Sequence, residues 1–144
     1  MHQRVYLHGP TMGTRWSVSC DTAPDVDHEG LSAALQGAVD EVDAQMSPWK
    51  PGSDLVRLNR AAPGAWVAVP AEILEVLARA LEISRLSDGA FDPGLGDLVD
   101  AWGFGPERDT PDPAAIRAAR GQERGPCWQR LELEPEAGRA RRLA

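Results

Sequence analysis

Three loops carry the residues whose types and spacing suit chemistry. They are Thr11-Met12-Gly13-Thr14, the segment from Ser47 to Ser53 around Trp49, and Gly89-Ala90-Phe91-Asp92-Pro93 with the turn Trp102-Gly103-Phe104-Gly105 behind it. Each combines small, turn-forming residues with an aromatic ring, a thioether or a carboxylate. A flat heteroaromatic ligand needs such parts: apolar faces against the ring and a few fixed polar groups at its edge. Met12 and Trp49 would supply the faces, and Asp92 with free backbone groups the edge contacts. Each residue also has a purely structural reading. Met12 serves as core filler, Trp49 between Pro48 and Pro51 covers a helix end, and Asp92 before Pro93 is a turn former.

No recognised catalytic set accompanies these loops. The sequence has no Ser/His/Asp or Cys/His arrangement and no Gly-x-x-x-x-Gly-Lys phosphate loop. His2, His8 and His28 form no His-x-x-x-His pattern, and Cys20 and Cys127 lie far apart without metal-ligand spacing. Asp97 and Asp100 sit three apart on a predicted helix and are expected to face solvent, while Glu132, Glu134 and Glu136 alternate as the wet face of a strand.

The elements that must position the loops read as follows. Arg4–Leu7 and Thr14–Ser19 are strand-like, joined through Gly9-Pro10-Thr11-Met12-Gly13. Leu31, Leu35, Ala38, Val42 and Met46 recur at helical spacing, and Ser47-Pro48-Trp49-Lys50-Pro51-Gly52 ends that helix. Ser53 or Asp54 caps a short helix to Arg60. Ala65–Val69 alternates as a strand. A helix from Ala71 to Ser87 follows, with Ile73, Leu74, Leu77, Leu81 and Leu86 on one face. A Pro/Asp linker, Pro106 to Pro113, leads to a helix near Ala114–Arg120, and a hairpin of Cys127–Leu133 and Arg139–Leu143 closes the chain. Strands and helices without strict alternation predict an α+β fold with a mixed, largely antiparallel sheet and packed helices.

At 144 residues the chain is one domain with room for a real core, and 42% hydrophobic residues fit a globular protein. A net charge of −7 argues against nucleic acid as a partner. Lys50 is the only lysine. No apolar run approaches the roughly 18 residues of a membrane span, and the strand-like start after Met1 has no leader pattern.

Taken in order, the loops resemble the ApbE family, the FAD:protein FMN transferases. The likeness rests on three blocks and spans nearly the whole chain. The first is Met12-Gly13-Thr14, and the second runs from Met46-Ser47-Pro48-Trp49-Lys50-Pro51-Gly52-Ser53-Asp54 to Asn59. The third is Ser87-Asp88-Gly89-Ala90-Phe91-Asp92-Pro93 through Leu98-Val99 to Trp102-Gly103-Phe104-Gly105. The resemblance implies that residues 1–144 form the N-terminal portion of a single ApbE-like domain related to the T-fold. It implies an enzyme that moves FMN from FAD to a threonine or serine of a target protein, with magnesium, releasing AMP; some relatives hydrolyse FAD instead. The implied FAD contacts fall on Met12, Trp49, Ala90, Phe91 and Asp92, and the implied partners are FAD and a flavin-acceptor protein.

The chain also departs from the family. Trp49 stands where tyrosine is common, Gly94 where threonine is usual, and Asp97 where proline is. The family's Asp-Leu-Gly-Gly-x-Ala-Lys-Gly-like segment and acidic magnesium site have no counterpart in these residues. The chain therefore reads as cut short, with no metal ligand of its own and inactive alone. The alternative is a non-catalytic module that holds flavin or docks a partner chain, including a separate second half. Many relatives are exported or lipid-anchored, so the resemblance fixes no location for a chain without a leader pattern.

Overall fold

The computed structural model describes residues 2–106, 109–122 and 125–143. Strands β1 (Gln3–Thr11) and β2 (Thr14–Thr22) pair antiparallel from Gln3↔Thr22 to Thr11↔Thr14, so the hairpin is longer than its apolar alternation predicts. Gly9-Pro10-Thr11 belongs to the ladder. Pro10 is accommodated because the sheet has two strands, and each leaves one edge free of ladder bonds.

Helix α1 (His28–Met46) begins at Asp27, whose carboxylate accepts from the Glu29 amide at 3.0 Å. Gln36 of this helix fastens the hairpin to it. Its Oε1 accepts from Trp16 Nε1 at 2.8 Å, and its Nε2 donates to the Pro10 carbonyl at 3.1 Å. Gly9 makes that contact possible, since a Cβ there would stand 2.6 Å from Trp16 Nε1.

Helix α2 (Asp54–Arg60) is capped by Ser53, which is 1% exposed. Its Oγ accepts from the Val56 amide at 3.1 Å and donates to the Ser47 carbonyl at 2.7 Å. One hydroxyl thus closes the loop between α1 and α2 at both ends. Helix α3 (Ala71–Leu86) packs Ile73 and Leu74 against Leu58, Val69 and Ala140 to form the core. Leu81 is buried but Leu86 is not, being 81% exposed. Five residues past Leu81, its side chain points away from the core stripe, and buried Ser84 occupies that stripe instead.

A second antiparallel sheet joins β3 (Val67–Ala68), β5 (Arg139–Arg142) and β4 (Leu131–Glu134) in the order β3-β5-β4. The fold is α+β with antiparallel sheets, divided into two separate sheets among the described residues. Cys127–Gln129 forms a 3-10 turn rather than the start of β4, with the Arg130 amide donating back to the Cys127 carbonyl at 2.9 Å. Glu132 and Glu134 are not simply wet. They face Arg141 and Arg139 across the ladder in ion pairs of 2.7 and 2.6 Å, and both guanidiniums lie 4.4 Å from the Trp66 ring centroid. Helices α4 (Gly96–Ala101) and α5 (Pro113–Gly121) pack together, α5 capped by the Asp112 carboxylate. Asp97 is exposed, whereas Asp100 is half-buried. Part of the linker before α5 lies outside the described residues.

Replacing Ser53 with alanine removes a cap and leaves the Ser47 carbonyl without its buried donor. We expect a loss of about 1–2 kcal/mol, read as a lower urea midpoint with unchanged slope.

Candidate functional site

The tip of the β1–β2 hairpin reaches the C-terminal end of α1, and the two enclose a cavity of about 630 Å³. Met12 and Gly13 line it from the hairpin, Val42, Asp43 and Met46 from α1, and Trp49 with Lys50 from the loop that follows. Its apolar walls are the two thioethers of Met12 and Met46, Val42, Pro48 and the Trp49 indole, the surface a flat ring needs.

Each wall has a local cause. Met12 and Gly13 form a two-residue turn with φ of 45° and 71°, both positive, as a tight type I′ hairpin demands. Glycine meets that demand freely. Methionine does not, at a cost of about 1–2 kcal/mol for a side chain held in left-handed backbone. Strain of this kind gathers where a side chain serves binding, and Met12 stays 54% exposed rather than filling a core. Trp49 is 63% exposed, with its amide donating to Ser47 Oγ at 3.2 Å. Lys50 Nζ lies 2.5 Å from Asp43 Oδ2, which ties the loop back to α1.

The third loop sits elsewhere. Asp88 (φ 51°) and Gly89 (φ 80°) end α3 in left-handed backbone, and the Phe91 amide donates to Ser87 Oγ at 3.1 Å. Asp92 Oδ1 accepts from the Gly94 amide at 2.7 Å, and Oδ2 lies 3.3 Å from Arg130 Nη2. Both side chains of that pair are largely buried. Ala90, Phe91 and Asp92 do not line the cavity formed by Met12 and Trp49. Arg130 is the residue sequence reasoning missed, because nothing links a lone arginine to a carboxylate 38 positions away. A Cβ at Gly94 would lie 2.5 Å from Arg130 Nη2, so a larger residue there would make the guanidinium shift. Beside this pair, burial pushes the Cys127 thiol above its ordinary value, and the Asp92 carboxylate adds to the shift.

Among the described residues no group of three or more His, Cys, Asp or Glu side chains has the placement to hold a metal ion. Nor is any described helix long and apolar enough to cross a membrane.

The ApbE family matches residues 12–144. The chain belongs to this family. It is 36% identical over 136 residues to an FAD:protein FMN transferase of Klebsiella pneumoniae, a match covering 92% of this chain and 38% of that protein. A Vibrio cholerae FAD:protein FMN transferase is 36% identical over 106 residues, covering 73% of this chain and 32% of that protein. The fold superposes on the apo form of the Pseudomonas stutzeri flavinyl transferase ApbE with a TM-score of 0.84 at 29% identity, covering 99% of this chain and 47% of that one. The flavin transferase ApbE of Vibrio cholerae gives a TM-score of 0.85 at 29% identity, with 99% and 46% coverage. The chain thus spans less than half the length of these ApbE relatives.

Two outcomes follow from this geometry. Met12→Asn relieves the left-handed strain with a residue that tolerates it, and should raise hairpin stability by about 0.5–1 kcal/mol in thermal unfolding. Because the folded Cys127 thiol holds its proton more tightly than the unfolded one, its contribution is fully present below the ordinary thiol value of about 8.5. It is lost as pH rises through the higher folded value. Between pH 7 and 10 the wild type should therefore lose more stability than Cys127→Ala, measured by denaturant titration at each pH.

Proposed function

We propose that this chain is the flavin-binding N-terminal portion, residues 1–144, of a single FAD:protein FMN transferase domain. The reaction of the whole enzyme moves FMN from FAD to a threonine or serine hydroxyl of an acceptor protein and releases AMP. The observation that carries the reading is the cavity where Met12 and Trp49 meet, an apolar slot of about 630 Å³ with a strained thioether on one wall and an exposed indole on another. In it Trp49 stacks on a ring of FAD, Met12 closes the opposite side, and the Lys50–Asp43 pair keeps the loop against α1.

Ala90, Phe91 and Asp92, which lie outside that cavity, are assigned contacts with a part of FAD beyond the ring held there. The Asp92 carboxylate, held by the Gly94 amide and Arg130, fixes the shape of that loop. Magnesium, when bound, neutralises charge at the pyrophosphate. The described residues offer no cluster that fits it, so this chain's residues are assigned binding and orientation of the flavin, and no step is assigned to the metal.

A second reading is a module that holds flavin without transferring it. It shares the cavity at Met12 and Trp49 and asks only that this cavity hold a flat ring. Incubating the chain with FAD, magnesium and an acceptor protein separates the two, since covalent flavin on the acceptor would exclude the module reading.

Titration of FAD followed by flavin fluorescence tests the site shared by both. Trp49→Ala should weaken binding about two- to twelvefold, the equivalent of about 0.5–1.5 kcal/mol for a lost aromatic contact, while Trp49→Tyr retains most of it. Unchanged affinity in Trp49→Ala would remove the indole from the site.

A further inference from the structure

The loop after α3 is held from two sides. Within itself, the Phe91 amide donates to Ser87 Oγ at 3.1 Å, the Ala90 amide to the Ser87 carbonyl at 3.1 Å and the Gly94 amide to Asp92 Oδ1 at 2.7 Å. Those bonds set its curvature at the end of α3. They do not tie it to the rest of the molecule. That tie is made across the fold, where Asp92 Oδ2 meets Arg130 Nη2 at 3.3 Å.

Arg130 is itself pinned. Its amide donates to the Cys127 carbonyl at 2.9 Å, and its carbonyl accepts from the Leu143 amide at 2.8 Å. Its Nε donates to the Gly125 carbonyl at 2.8 Å. The 3-10 turn Cys127–Gln129 before it packs on α3, the helix from which the loop departs. The guanidinium lies over Gly94, in space that a Cβ there would enter. With its backbone and one nitrogen already fixed, the arginine meets the carboxylate as a strut and not as a swinging arm.

Burial sets the consequence. The side chains of Arg130 and Asp92 are 21% and 17% exposed, so each relies on the other to balance its charge. Without the guanidinium the carboxylate gains by turning out to water, and its neighbours Ala90 and Phe91 turn with it. We propose that Arg130 is a positioning residue for FAD. It touches no ligand, and it holds Asp92 so that Ala90, Phe91 and Asp92 are in place before FAD arrives. This rests on the flavin-binding reading above, in which that loop contacts FAD.

Titration with FAD followed by flavin fluorescence, with near-ultraviolet circular dichroism to verify folding, tests the assignment. Arg130→Met keeps the stem, drops the charge and should weaken FAD about five- to tenfold. Arg130→Lys should stay within about twofold of the wild type, because a single nitrogen meets Asp92. Asp92→Asn leaves no buried charge to release, so adding Arg130→Met to it should change FAD affinity by less than about twofold. Arg130→Gln carries the test if the methionine variant does not fold. Wild-type affinity in Arg130→Met overturns the proposal, and so does an Arg130→Lys chain as weak as Arg130→Met. A full loss when Arg130→Met is added to Asp92→Asn also overturns it, since the arginine would then act without the carboxylate. Failure of the wild type to bind FAD overturns the flavin reading and this proposal with it.

Discussion

A single hydroxyl in a dry place decides where the loop carrying Trp49 goes. Ser53 Oγ is fully enclosed, and inside a protein a polar atom must find partners or cost stability. It finds one at the start of α2 and another at the end of α1. The five residues between, Pro48 to Gly52, are therefore left on the outside, all of them exposed, with Trp49 among them. Because α2 delivers Leu58 to the core beside Ile73 and Leu74, the loop is anchored to the most buried part of the molecule. The indole is exposed, yet its position is inherited from packing.

The hairpin depends on a comparable fastening. Gln36 uses both ends of its amide, one on the Trp16 indole and one on the Pro10 carbonyl, and continues to Asp40 at 2.8 Å. Without that bracket a two-stranded ribbon has little of its own to hold it in place. With it, the turn at Met12 and Gly13 is set over the last turns of α1, which is how residues 37 apart in the chain, Met12 and Trp49, come to share a cavity.

Much of this was legible in the sequence. The helical period from Leu31 to Met46, the Ser53 cap and the α3 core stripe at Ile73, Leu74, Leu77 and Leu81 correspond to observed elements because each is written in local spacing. Long-range polar pairing was not legible. Nothing near Glu132 or Glu134 marks Arg141 and Arg139 as their partners, since strand register decides that. Nothing in the Ala90–Asp92 loop announces Arg130 either. The extent of β1 through Gly9-Pro10 was hidden because those two residues punctuate chains far more often than they continue strands. The Met12–Trp49 cavity was hidden for a further reason. A list of aromatic loops does not say which of them face one another.

The pairing of Lys50 with Asp43 has a practical side. Since Lys50 is the only lysine in this sequence, its ε-amine is the one side-chain amine here that an acylating reagent can find. Its side chain is about half exposed and stands at the rim of the Met12–Trp49 slot. A dye, a spin label or a photo-crosslinker coupled there would therefore be delivered beside that cavity without engineering a single residue. The chain carries its own address for a reporter group.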